Sequence, residues 1–204
     1  MYKAVVCIVA EAGSRIKMLL RVRPFYSNRE LISLYKCHVL SFLESGTPAY
    51  YHAAPSILKL VDEMQDMFLE SIGIPKRDAL LTFNLAPLCV RRDIAMLGVL
   101  HKVVLGIAPA PFEDIFKRSI SSLRCFGFRS GPKLHDKQLE DKVGNNSPIL
   151  LKRSLFGLVH VYNRLTQDVV DTGNVQQFQK RLQCIVKNSI DTNPKWDLIF
   201  HRAY

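Results

Sequence analysis

Apolar residues recur with helical period along most of the chain. Val5, Val9, Ala12, Ile16 and Leu19 fall at steps of four, three, four and three, which is one face of a helix, and Pro24 ends the pattern near Arg23. Ser27-Asn-Arg-Glu30 reads as a capping box, in which the serine oxygen and the glutamate carboxylate each satisfy an orphan amide. Behind it Leu31, Leu34, Tyr35, His38, Val39, Phe42 and Leu43 keep the same period until Gly46 and Pro48 close it. The link Tyr50–Pro55 leads to a stripe of Ile57, Leu60, Val61, Met64, Phe68 and Ile72, with Gly73-Ile-Pro75 as its stop. Pro87 suits a first helical turn, and Val90, Ile94, Leu97, His101 and Val104 carry a face to Gly106. After the break at 106–111 one helical turn follows at Phe112–Lys117. No strand-period segment competes in this half.

From Ser119 the pattern changes. Ser119–Leu134 mixes basic residues, glycine and aromatics without a helical period, which suits an irregular loop or a short hairpin. Residues 135–147 are polar and end in turn formers, and read as a linker or exposed loop. After Pro148, the residues Leu151, Leu155, Leu158, Val159 and Tyr162 predict one helix, and Val175, Phe178, Leu182 and Ile185 another. Trp196 is expected to pack the tail against one of them. The pattern thus predicts an all-α fold in three parts: a helical unit at 1–117, a loop or linker at 118–147 and a small helical segment at 148–204.

Composition narrows the class. With 48% apolar residues in 204, the chain can bury a core, and ten Gly and ten Pro exclude collagenous or low-complexity classes. Five scattered cysteines (Cys7, Cys37, Cys89, Cys125, Cys184) show neither a disulfide framework nor the paired spacing of a zinc site. They are expected to be reduced, buried thiols of a cytosolic or nuclear protein. No apolar run approaches the roughly 20 residues of a membrane span. Lys3–Ala12 imitates a minimal signal peptide, but its apolar spacing continues through the supposed cleavage site, so secretion is not expected.

No catalytic constellation emerges. Phosphate-binding glycine loops, a nucleophile elbow and a zinc-binding H-E-x-x-H are all missing from the sequence, as is an Asp-Asp pair for two-metal chemistry. Asp62, Asp66 and Glu70 share a helix face opposite the apolar stripe and read as a solvated face. His38 and His101 lie on apolar helical faces, as core or boundary histidines do. Cys125 with His135 would be a thiol and its base, yet nothing in the sequence orients the pair. No catalytic residue, metal, cofactor or small-molecule substrate is expected.

Charge is the remaining signal. Lys and Arg number 28 against 18 acids, for a net charge of +10, which suits a polyanionic partner. The surplus lies at the two ends: seven basic residues face three acids in 1–50, six face six in 51–110, and fifteen face nine in 111–204. Arg15, Lys17, Arg21 and Arg23 sit late in the first helix, and Lys17 and Arg21 share a face. Lys117, Arg118, Arg124, Arg129 and Lys133 surround Phe126 and Phe128, a mixture suited to phosphate contact and base stacking.

The wording of the chain adds a resemblance. Glu30-Leu-Ile-Ser-Leu-Tyr-Lys-Cys-His-Val-Leu-Ser-Phe-Leu-Glu-Ser-Gly-Thr-Pro48 resembles the L-Y-K-S-x-V-x-x-x-L-E-Y-x-x-P segment in the thumb of non-LTR retrotransposon reverse transcriptases. Three further pieces are similar to that family's in the same order. They are Val61–Leu69 to its V-Q-R-R-F-L helix, Leu85–Gly106 to its L-x-x-L-x-x-R-R stretch, and Ser154–Phe178 to its closing segment. The likeness runs from about residue 10 to 200. It departs where Met64 and Asp66-Met67 replace a valine and a basic pair, and where Thr166 replaces a proline. The Phe/Tyr-x-Asp-Asp of the palm is missing. The resemblance implies a thumb-type helical bundle, and a non-catalytic C-terminal piece of an RNA-directed DNA polymerase that grips RNA or an RNA–DNA duplex. Its candidate phosphate contacts are Arg15, Lys17, Arg21, Arg23, Arg91, Arg92, Arg124 and Arg129. A helical protein-interaction module, or an inert relic, is the alternative.

Overall fold

The computed structural model describes residues 2–119, 135–144 and 146–200. They form an all-α structure, and among them the one strand-like pairing is an isolated antiparallel bridge between Arg118 and Leu139. The chain divides into two compact units, Met1–Arg92 and Asp93–Tyr204.

In the first unit, α1 (Tyr2–Arg21) buries Val5, Ala12, Ile16 and Leu19, the stripe that the apolar spacing predicts. Pro24 ends it in a 3-10 turn, Arg23–Phe25. The capping box is present: the Glu30 amide donates to Ser27 Oγ (3.4 Å), and the Ser27 amide to Glu30 Oε2 (2.8 Å). It opens α2 (Asn28–Tyr35), which runs through a π-helical turn at Lys36–Leu40 into α3 (Ser41–Ser45). In that turn the Ser41 amide reaches back five residues to the Lys36 carbonyl. The consequence is a change of face. Leu31, Tyr35, Val39 and Leu43 are buried at strict steps of four, a spacing that drifts off one face of a regular α-helix and that the wider turn brings back. Leu40 is buried as well, and His38, expected on the apolar face, is exposed.

The short α4 (Thr47–Tyr50) follows, with Tyr50 donating its hydroxyl to the Leu43 carbonyl at 2.6 Å. Next comes α5 (Pro55–Ser71), which packs along α1 and buries Val61, Gln65, Phe68 and Leu69. Phe68 stacks on Tyr35 at 4.4 Å between ring centroids. Burying such side chains contributes about 1.5–3 kcal/mol each, so this pair anchors the core. Gly73, at φ +71, lets the chain leave α5 in a left-handed turn that a β-carbon would strain. The sequence pattern leaves 76–83 without an element, yet they form α6 (Lys76–Phe83), ended by Asn84 in the left-handed region. Eight residues with only Ala79 and Leu80 buried carry too little periodicity to announce a helix.

The helix α7 (Leu88–Val104) carries the division between the units. Val90, Ile94, Leu97, His101 and Val104 are buried as their spacing predicts, and so are Arg92, Asp93, Met96, Leu100 and Val103. The compact units part at Arg92–Asp93. The reason lies in what α7 and its successor touch within the second unit. His101 packs among residues near 162–178, and Phe116 pairs with Phe156 at 5.0 Å.

The second unit continues with α8 (Ala110–Ile115), α9 (Ile149–Lys152), α10 (Leu155–Tyr162), α11 (Gln167–Val170) and α12 (Val175–Ser189). Gly157 is required where it stands, since a β-carbon there would lie 1.8 Å from the Lys152 carbonyl oxygen. On α12 the buried face is Phe178, Leu182 and Val186, and the 3-10 turn Trp196–Leu198 packs the tail against this helix. Residues 135–143 are not the exposed link that their polarity suggests. His135, Gln138, Leu139 and Val143 are buried, because Asn163 binds the Leu139 backbone twice: Nδ2 donates to its carbonyl (2.7 Å) and Oδ1 accepts from its amide (2.9 Å). An amide side chain here takes the place of a neighbouring strand.

Candidate nucleic-acid interface

The predicted phosphate contacts fall into three groups. Lys17 and Arg21 are exposed, four residues apart on α1, and make no ion pair or side-chain hydrogen bond among the described residues. Together with Lys3, Cys7, Ala10 and Ser14 they form the solvent stripe opposite the buried face of α1. Arg21 also stands in the last turn, where the helix dipole favours a cation. These two are available to a ligand.

Four others are engaged inside the first unit, each with a partner of its own. Arg92 has a side chain only 6% exposed and holds Asp62 bidentately, Nη1 to Oδ1 at 2.6 Å and Nη2 to Oδ2 at 2.9 Å. Its guanidinium stays charged because the carboxylate offsets the cost of burial. Arg91 pairs with Glu44. Arg15 donates to Glu11 (2.9 Å) and to the His38 carbonyl (2.9 Å), and its guanidinium lies 4.1 Å over the Phe42 ring. Arg23 donates from Nη1 to the Ser71 carbonyl while remaining exposed. Arg124 and Arg129, with the aromatic cluster of Phe126 and Phe128, lie outside the described residues.

The reading of the α5 carboxylates is corrected at one position. Asp62 belongs to the buried Arg92, so one of the three acids read as a solvated face is a structural partner, while Asp66 makes a surface pair with Lys76 (2.8 Å). The cysteines differ as well. Cys7, Cys37 and Cys184 are free and exposed and Cys89 is half-buried, so the expectation of buried thiols does not hold for the first three. Cys125 lies outside the described residues. Among the described residues no group of three His, Cys, Asp or Glu is placed to hold a metal ion, and no helix is long and apolar enough to cross a membrane.

The turn after α1 exposes residues that the sequence pattern does not single out. Phe25 is 84% exposed and Tyr26 45%, on the turn between α1 and α2, and Arg29 is exposed in the first turn of α2. The turn is held firmly: the Phe25 amide donates to the Val22 carbonyl (3.0 Å), Arg23 reaches Ser71, and Asn28 Nδ2 donates to the Ile72 carbonyl (3.4 Å). A signal existed in the sequence. Pro24 and Ser27 confine two aromatics to a tight connection between helices, where neither helix face can bury them.

In the second unit the titratable cluster is structural. His101 donates from Nε2 to the Thr172 carbonyl (2.9 Å), accepts from the Tyr162 hydroxyl at Nδ1 (3.0 Å) and stacks on Phe178 at 4.1 Å. His135 donates from Nε2 to the Tyr162 carbonyl (3.1 Å) and accepts the Lys137 amide at Nδ1 (3.2 Å). Burial holds both imidazoles below their ordinary pKa, with the Lys137 charge adding to it, and hence neutral. His135 is thereby fixed by the backbone and is not free to serve as a base.

A comparison of the chain with protein-family models, with curated proteins and with solved structures finds no match.

Proposed function

We propose that the chain is a non-catalytic C-terminal piece of a non-LTR retroelement reverse transcriptase, of thumb type, whose residual capacity is to hold an RNA–DNA duplex by its phosphates. Four segments in the family's order support the origin, and the +10 charge supports a polyanionic partner. The observation that carries the binding role is the pair Lys17 and Arg21, exposed on one α1 face with no internal partner among the described residues. Arg29 adds a third such cation nearby in the chain.

Binding to a fluorescent RNA–DNA duplex, followed by anisotropy across a salt series, tests this. Replacing Lys17 and Arg21 with alanine is expected to lower the slope of log affinity against log salt by about 2, roughly one for each phosphate that is no longer neutralised. An unchanged slope would reject the assignment. A second reading, a helical protein-interaction module without a nucleic-acid role, draws on the internal engagement of Arg15, Arg23, Arg91 and Arg92. It requires weak duplex binding that salt does not alter.

A further inference from the structure

We propose that the turn between α1 and α2 is a site for unpaired nucleotides, with a base stacked on Phe25 and its flanking phosphates held by Arg21 and Arg29. The inference rests on the proposed function for its partner, a nucleic acid, and narrows it to a single-stranded segment. Residues 12–29 carry five basic residues and no acid, and even with the flanking Glu11, which pairs with Arg15, and Glu30 counted the stretch keeps a positive surplus that favours a polyanion. Within this stretch Phe25 presents 84% of its surface to solvent, and neither it nor Tyr26 makes a ring contact among the described residues. An exposed ring costs free energy in water, and here it is not a mobile accident. The 3-10 turn, Pro24, the Arg23 bond to the Ser71 carbonyl and the capping box at Ser27 fix its backbone on both sides.

A duplex offers phosphates but keeps its bases stacked on each other, so it satisfies the arginines and leaves Phe25 bare. A single strand satisfies both, since every unpaired base has a face that a ring can cover. A lipid surface would also attract arginines and an aromatic. The solvent side of α1 does expose Tyr2, Val6 and Met18, but Lys3, Lys17 and Arg21 interrupt them, and they form no continuous apolar stripe to enter a bilayer.

The test compares a fluorescent single-stranded RNA with the RNA–DNA duplex, and with vesicles of anionic lipid, using the full chain and the variants Phe25→Ala, Phe25→Leu and Phe25→Trp. Circular dichroism checks that each variant keeps its helical content. Phe25→Ala is expected to weaken single-strand binding about tenfold while changing duplex binding less than twofold and leaving the salt slope intact. Phe25→Trp should retain the affinity, and Phe25→Leu, apolar but without a ring, should not. Equal loss on both nucleic acids, no loss on either, rescue by leucine, or a loss confined to the vesicles would overturn the proposal. The two readings separate cleanly. Salt-dependent duplex binding with Phe25-independent single-strand binding removes this inference alone, and the reverse result removes the duplex grip alone.

Discussion

Asp62 and Arg92 show how a single contact can change the meaning of a residue. A basic pair next to a resemblance to a polymerase thumb suggests phosphate contact, but a guanidinium 6% exposed and forked onto a carboxylate is a structural charge. Removing one partner of such a pair leaves the other buried and uncompensated. Asp62→Ala is therefore expected to destabilise the protein by about 3 kcal/mol or more in urea unfolding, and a change under about 1 kcal/mol would show the pair to be dispensable. Tyr35 gives the opposite case. Its ring is stacked on Phe68 and fully buried, its hydroxyl has no hydrogen-bond partner among the described residues, and burial pushes its pKa far up. Tyr35→Phe keeps the stack and removes an unsatisfied group, so it should raise stability by about 1 kcal/mol, read as a higher urea midpoint.

At the level of elements, the apolar spacing identifies α1, α5, α7 and α12 correctly, and the Ser27–Glu30 capping box locates the start of α2. The π-helical turn is not legible, because it answers to which residues must reach the core, and that depends on α1 and α5. His101 on α7 reads as a core histidine from its spacing, but its stack on Phe178 and its bond to Tyr162 join residues more than sixty positions apart. This cluster makes a pH prediction. Above about 6.5, the ordinary histidine value, folded and unfolded chains are both neutral there and stability is full. As the pH falls below it, the unfolded chain takes up protons that buried His101 and His135 refuse, so stability declines toward their lowered folded values. Thermal unfolding compared between about pH 7.5 and about pH 5.5, either side of that value, should show a lower midpoint at the acid end. His101→Gln should weaken this dependence. A midpoint that does not move with pH in this window would exclude the mechanism.

For the whole molecule, the units divide at Arg92–Asp93, and among the described residues three thiols face solvent. Brief alkylation of the native protein, mapped by mass spectrometry, should label Cys7, Cys37 and Cys184 well before Cys89; uniform slow labelling would contradict the placement. The all-α class can be read from periodicity, since a 3.6-residue repeat leaves no other way to bury a stripe. The net charge is equally visible, because it needs no coordinates. What each charge does is not visible. Lys17 near the end of α1 and Arg23 in the turn that follows it are both basic, yet of the two only Arg23 meets a carbonyl of α5. Likewise the polar run 135–143 is buried because Asn163, distant in sequence, satisfies its backbone. Helices follow from local spacing and caps, whereas the role of a polar group depends on which partner the folded chain brings within about 3 Å of it.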